Sequence, residues 1–295
     1  MIYDFNGTKI KLKERVCQLC DYIPGEIAPQ LNLYVRLNNS CNANCKFCEY
    51  HGKEKEFDFD KFEKALVELV NRDILGKIQI TGGETSLDIE RLSKIVEIIR
   101  KHCKDTFVSI NTNGFDLLTL AQVSDKVDNY AISRHHYLDT KNREIFGTLT
   151  VPTANQLKAF IKIVGSDKVH ISCNLMDSAI SNIEEVKNFL EFCSSIGCED
   201  VGFVTLMDAN EFCVKERVLF DNLGLEESDE FLKYKQYIKE GNKCRCANYI
   251  YNCRNTCKLI DLYGRFVCEK DDTPGIVCFD LDKLRVGFSG EEIQV

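Results

Sequence analysis

The chain has 295 residues, 44% of them apolar, with 38 basic against 46 acidic side chains and a net charge of −8. This is an ordinary globular composition, long enough for one large domain with an appendage, and its acidity argues against the broad phosphate-binding footprint that tRNA or DNA requires. The N-terminus holds no apolar run and nowhere do 18 apolar residues follow one another, so neither export nor membrane spanning is expected and the predicted location is cytoplasmic.

Sixteen cysteines in a reducing compartment point to metal or redox chemistry rather than disulfides. Cys17-x2-Cys20 comes first, before a turn at Pro24-Gly25 and with no further ligands nearby. Leu31 to Leu37 is an apolar run of strand length that leads directly into Ser40-Cys41-Asn42-Ala43-Asn44-Cys45-Lys46-Phe47-Cys48. Three thiolates spaced C-x3-C-x2-C can each bind one iron of a cube and leave the fourth iron open; with His51 the same residues also read as a four-ligand zinc clip.

Asp60-x-x-Glu63 resembles a capping pair, and Phe62, Leu66, Leu69 and Val70 behind it recur at helical spacing. Lys77 to Thr81 is a strand that runs into Gly82-Gly83-Glu84-Thr85, and Leu92, Ile95, Val96 and Ile99 mark the next helix. Strands follow at Phe107 to Asn113 and at Asn129 to Arg134, the second ending in Ser133-Arg134-His135-His136. Thr153-x-x-Gln156 is a capping box for a helix bearing Leu157, Phe160, Ile161 and Val164. Lys168 to Met176 places Val169, Ile171, Cys173 and Leu175 on one face and His170, Ser172 and Asn174 on the other, a polar face that suits a ligand-holding lumen. Ser181-x-x-Glu184 caps a helix with Ile183, Val186, Leu190 and Cys193, and Val201 to Met207 is the sixth strand. Cys103, Cys173, Cys193 and Cys198 fall inside these patterns and read as small buried hydrophobes.

Six alternations of strand and helix predict an α/β fold, a partial (β/α)6 TIM-like barrel or open parallel sheet, with ligands at the carboxyl ends of the strands. The cysteine loop, the Gly-Gly-Glu turn, Asn113 and Ser133 all fall at those ends, and that convergence weighs against the zinc clip. The expected organisation is an N-terminal segment 1–30, the barrel 31–211, and a small cysteine-rich C-terminal extension 212–295. In the extension, Phe231 to Lys239 reads as a charged surface helix, and Tyr263-Gly264 as the turn of a hairpin between Leu259–Leu262 and Arg265–Cys268. Six cysteines follow Gly241, at 244, 246, 253, 257, 268 and 278, more than packing needs; four thiolates there suit an iron-sulfur cluster or zinc.

The C-x3-C-x2-C loop with an aromatic residue before its last cysteine, joined to Gly82-Gly83-Glu84, closely resembles the radical SAM family over roughly Asn32 to Asp208. Thr85 stands where the family's Gly-Gly-Glu-Pro motif has proline. The resemblance implies a [4Fe-4S] cluster on Cys41, Cys45 and Cys48, its open iron chelated by S-adenosylmethionine, whose reductive cleavage gives a 5'-deoxyadenosyl radical that removes hydrogen from a substrate. It implies cofactor contacts from Phe47, Gly82, Gly83, Glu84, Thr85, Asn113, Ser133 and Asn174, and an electron donor such as flavodoxin or ferredoxin. Arg134 and His135, with His136, are expected to face substrate from the same rim. The tail is similar in kind to the SPASM or twitch extensions of some members, which implies an auxiliary cluster with Cys244, Cys246, Cys268 and Cys278 ranked first as its ligands and Cys253 and Cys257 next. A small polar substrate is expected ahead of a ribosomal peptide, because the thirty residues before the first strand are short for a peptide-docking domain. A non-enzymatic iron-sulfur or zinc protein is the alternative of another class.

Overall fold

The computed structural model describes residues 2–11, 31–49, 54–238, 245–252, 259–265 and 275–295. A hairpin of β1 (Ile2–Phe5) and β2 (Thr8–Lys11) forms a small sheet of its own. The main sheet begins at β3 (Leu31–Arg36) and continues through α1 (Phe59–Asn71), β4 (Leu75–Thr81), α2 (Ile89–His102), β5 (Val108–Thr112), α3 (Leu117–Leu120) and β6 (Asn129–Ser133). Helices α4 (Asp139–Phe146) and α5 (Ala154–Val164) then lead to β7 (Val169–Leu175), α6 (Ile183–Ile196) and β8 (Asp200–Thr205). After these come α7 (Glu211–Glu216), β9 (Phe231–Ile238), β10 (Arg245–Asn252), β11 (Leu259–Arg265), β12 (Ile276–Asp280), β13 (Lys283–Val286) and β14 (Glu292–Ile293).

Strands β3 to β8 lie side by side in chain order and all run parallel, the mostly parallel α/β arrangement of a partial TIM-like barrel. One strand face is apolar and joins Phe62, Leu66, Leu92, Ile95, Phe160, Phe189 and Leu190 of the helices in a single core. The other face is half-buried and polar: Gln79 and Thr81 on β4, Asn111 on β5, Ser133 on β6, and His170, Ser172 and Asn174 on β7. Cys103, Cys173, Cys193 and Cys198 are buried in the core, as small hydrophobes are.

Local details differ from the sequence reading in instructive ways. The first crossover helix is capped by Asp58, whose carboxylate accepts from Lys61 N–H at 3.0 Å, so Asp60 and Glu63 lie inside the helix. The cap of α6 is Asn182 rather than Ser181, its Oδ1 accepting from the N–H groups of Glu184 and Glu185. The capping box at Thr153 and Gln156 is present on both sides.

Phe231–Ile238 is a strand, not a surface helix: it pairs antiparallel with β10, and its Phe-Leu-Lys-Tyr-Lys-Gln-Tyr-Ile sequence is rich in residues that favour a pleated surface. Leu259–Arg265 is likewise one strand rather than half a hairpin. Tyr263 and Gly264 are paired on both sides, with β10 and in parallel with β8, and that double ladder outweighs the turn preference of a lone glycine. On the opposite edge β12 pairs in parallel with β3, and β13 and β14 follow antiparallel. The tail therefore extends the same sheet at both edges, giving twelve strands among the described residues, in the order β14-β13-β12-β3-β4-β5-β6-β7-β8-β11-β10-β9. Among the described residues no helix is long and apolar enough to cross a membrane.

Candidate active site

The loop that leaves the carboxyl end of β3 carries Cys41, which is exposed, and Cys45 and Cys48, which are partly buried. Backbone contacts fasten its entry to the turn after β4. Gly83 N–H donates to both the carbonyl and the Oδ1 of Asn38 at 3.0 Å, and Glu84 N–H donates to Ser40 O at 2.8 Å. Asn38 Nδ2 returns a bond to Glu84 O at 2.8 Å. A Cβ at Gly83 would stand 2.1 Å from Ser40 O, and one at Gly82 would stand 2.5 Å from Asn38 Oδ1. The two glycines are thus required for the close approach of the chain to its own cysteine loop. On the other side, Asn44 N–H donates to Phe146 O at 2.8 Å, Asn42 Nδ2 to Thr150 Oγ1 at 2.8 Å, and the Cys213 thiol of α7 to Phe47 O at 3.6 Å.

Burial, followed by the neighbouring Cys48 and Cys41, pushes the Cys45 thiol up to about 12. Cys41 is exposed as a residue, yet desolvation by the surrounding loop raises its thiol too, and the charges of Glu84 and Cys48 add to that effect. No basic side chain among the described residues lowers either pKa, and bound iron would supply the positive centre that stabilises thiolates. Among the described residues no three His, Cys, Asp or Glu side chains stand close enough to share one metal ion. A cube engages each of three cysteines at a different iron, a donor set that three thiols on one short loop supply.

Glu84 is buried and its carboxylate ties the ends of β4 and β5 together. Oε1 accepts from Ser86 N–H at 2.9 Å, Ser86 Oγ at 2.8 Å and the Thr112 hydroxyl, while Oε2 accepts from Asn113 N–H at 2.6 Å. What remains for a ligand ammonium lies on Oε2. Thr85 is buried and donates from Oγ1 to Asn111 O at 3.1 Å. Asn113 reaches back to the cysteine loop, Nδ2 donating to Asn42 Oδ1 at 2.8 Å. Ser133 and Asn174 sit half-buried at the carboxyl ends of β6 and β7. Phe47 packs with Met176, Ala179, Leu206 and Cys213 and meets the His135 ring edge-on at 5.0 Å.

Arg134 does not face the rim. It is 1% exposed, and its guanidinium donates to the carbonyls of His136, Pro152 and Tyr137 and to the Asp139 carboxylate, an internal clamp rather than a substrate contact. His135 is also buried, stacked on Phe146, and its Nδ1 accepts the Asn174 N–H at 3.1 Å, so it acts from behind Phe47. His136 is buried too, with Nδ1 accepting from Leu138 N–H.

Sequence spacing did not single out Asn38, Thr112 or Arg217. Arg217 Nε donates to Leu206 O at 2.9 Å, and its buried Nη2 has no hydrogen-bond partner among the described residues, an orphaned donor beside the cluster of residues around Phe47.

In the tail, Cys278 lies fully buried in β12 against Tyr34, Ile276 and Phe288, where it packs as a core residue. Its strand and β10, which carries Cys246, are separated in the sheet by β3 to β8 and β11. Cys17, Cys20, His51, Cys244, Cys253, Cys257 and Cys268 fall outside the described residues.

A parallel α/β sheet with a three-thiol loop at its carboxyl edge, fastened to a Gly-Gly-Glu turn, defines a class of metalloenzyme rather than a carrier fold. The family model for the radical SAM superfamily matches residues 35–207, more than half of the chain, and the chain belongs to that superfamily. It is similar to a probable GTP 3',8-cyclase of Thermoplasma volcanium, 35% identical over 123 residues that make up 40% of this chain and 37% of that protein. A probable GTP 3',8-cyclase of Thermococcus kodakarensis is 32% identical over 113 residues, 36% of each chain. The chain thus matches little more than a third of the length of these relatives. Among solved structures, SuiB of Streptococcus suis bound to its precursor peptide SuiA shares the fold, at 15% identity with a TM-score of 0.55 over 68% of this chain and 46% of that one.

Proposed function

We propose that the chain cleaves S-adenosylmethionine with an electron from a [4Fe-4S] cluster on Cys41, Cys45 and Cys48, and uses the resulting 5'-deoxyadenosyl radical to take hydrogen from a small polar substrate. The observation that supports this reading is the cysteine loop bound through Asn38 and Ser40 to Gly83 and Glu84, so that three thiols and the Gly-Gly-Glu turn share one sheet edge. The chain's own residues then divide the work. Oε2 of Glu84 and the main chain around it take the cofactor's amino group, and the orphaned Arg217 donor takes a carboxylate. Phe47, held edge-on by His135, offers an apolar wall for a purine ring.

The half-buried Ser172 and Asn174, and the buried Gln79 Oε1, which has no hydrogen-bond partner among the described residues, lie on the polar strand face and suit a substrate rich in hydroxyl or amide groups. A nucleotide-like substrate is in keeping with the similarity to GTP 3',8-cyclases. An auxiliary cluster on the tail cysteines at 244, 246, 253, 257 and 268, and reduction by a flavodoxin or ferredoxin in the cytoplasm, complete the reading. Protein reconstituted without oxygen and reduced with dithionite is expected to convert S-adenosylmethionine to 5'-deoxyadenosine, and Cys45→Ala to do so at least a hundredfold more slowly. Undiminished cleavage by that variant would refute the assignment.

A further inference from the structure

We propose that Glu54 is a positioning residue for the cluster, a clasp that joins the two ends of the cysteine loop and presets Cys41 before iron is loaded. The proposal rests on the cofactor reading above and adds to it a residue that touches neither the cluster nor its cysteines. Oε2 of Glu54 accepts from Asn39 N–H at 2.8 Å, Ser40 N–H at 2.9 Å and Ser40 Oγ at 2.9 Å. These donors precede Cys41, whereas Glu54 follows Cys48, so all three cysteines lie inside the ring that the carboxylate closes.

The clasp is itself anchored. Oε1 accepts from Arg91 Nη1 at 2.9 Å, the same nitrogen donates to Leu37 O at 2.6 Å, and Arg91 Nε pairs at 3.0 Å with Asp88, which caps α2. Ser40 is therefore gripped on both sides of its backbone, its N–H by Glu54 and its carbonyl by Glu84 N–H.

This geometry has a specific consequence for the cysteines. Cys45 and Cys48 are partly buried, and the neighbouring Asn44 and Phe47 are held by Phe146 and Cys213, but Cys41 is exposed and directly follows the clasped residues. Opening the clasp frees the thiol with the least packing around it, and ordering that segment again becomes a cost of cluster assembly. Charge-assisted bonds from two successive backbone N–H groups suit this task, because they restrain main chain directly.

The test compares wild type, Glu54→Ala and Glu54→Gln after anaerobic reconstitution, measuring iron and sulfide per chain, the paramagnetic spectrum of the reduced cluster with and without S-adenosylmethionine, and the unfolding midpoint of the apoprotein. A glutamine oxygen can still accept both N–H bonds. Glu54→Gln, whose amide nitrogen replaces the oxygen that accepts from Arg91, is expected to load iron between Glu54→Ala and wild type, while Glu54→Ala binds at least twofold less iron than wild type and shows a broadened signal, with both apoproteins unfolding close to wild type. Glu54→Ala with wild-type iron and spectrum would overturn the clasp, and so would Glu54→Gln as impaired as Glu54→Ala. Should Glu54→Ala not fold, Glu54→Asp is one methylene too short: partial loading supports the proposal and full loading overturns it. Wild-type protein that takes up iron without sulfide, or neither, would instead refute the cofactor reading on which the clasp depends.

Discussion

A buried imidazole whose Nδ1 already accepts a backbone N–H has no room for a second proton. At His135, burial and then the charge of Arg134 bring the pKa down to about 3. In the unfolded chain the same ring protonates near pH 6.5, so below that value the unfolded state binds a proton that the folded state refuses. The stability His135 contributes is complete above about pH 6.5 and is lost as pH falls toward 3, by up to about 1.4 kcal/mol per pH unit. Urea denaturation of the reduced apoprotein at pH 7 and 5.5 checks this against His135→Phe. That variant starts about 1–3 kcal/mol lower, because the Asn174 N–H loses its acceptor, and should show a flatter pH dependence. Equal slopes in the two proteins would show that some other group titrates. The catalytic role read for His135 from its place after β6 thus gives way to support of Phe47, a distinction that burial makes and sequence position does not.

At the scale of elements, the cap of α6 offers a clean contrast. Ser181 and Asn182 are both good capping residues, so the sequence alone leaves the choice open, and only the bonds to Glu184 and Glu185 decide it. Asn182→Ala is expected to cost about 1 kcal/mol in chemical denaturation and Ser181→Ala under about half of that; the reverse order would return the cap to Ser181. The six parallel strands were legible because each apolar run is bounded by turn residues and followed by a helical repeat long enough to cross over. The cysteine spacing and the glycine pair were legible as well, since their chemistry is local. Glu54 was not: it stands in the run Lys53-Glu54-Lys55-Glu56, which looks like a solvated charge pattern, and its partners lie fourteen and fifteen residues earlier. Strand β9 was misread for a related reason, because lysines in a short charged segment satisfy a helix template until a neighbouring strand supplies the ladder.

For the whole molecule, the tail matters through where its strands join. β11 continues the sheet beyond β8 and β12 continues it beyond β3, so residues after 211 border both edges of the parallel core. Cys278 packs into the β12 edge, and the auxiliary cluster is therefore proposed on the tail cysteines at 244, 246, 253, 257 and 268. If that cluster serves substrate oxidation or substrate binding, it acts after cofactor cleavage and can be separated from it. The double variant Cys244→Ala with Cys246→Ala is then expected to form 5'-deoxyadenosine within about threefold of the wild-type rate while giving no product. Candidate nucleotides and sugars, deuterated in turn, should transfer deuterium into 5'-deoxyadenosine with wild type; the variant keeps that transfer if the cluster oxidises the substrate radical and loses it if the cluster binds substrate. Transfer from a precursor peptide and from none of the small molecules would reverse the substrate assignment and align the chain with peptide maturases. Loss of cleavage in the double variant would place the tail cysteines in support of the first cluster instead.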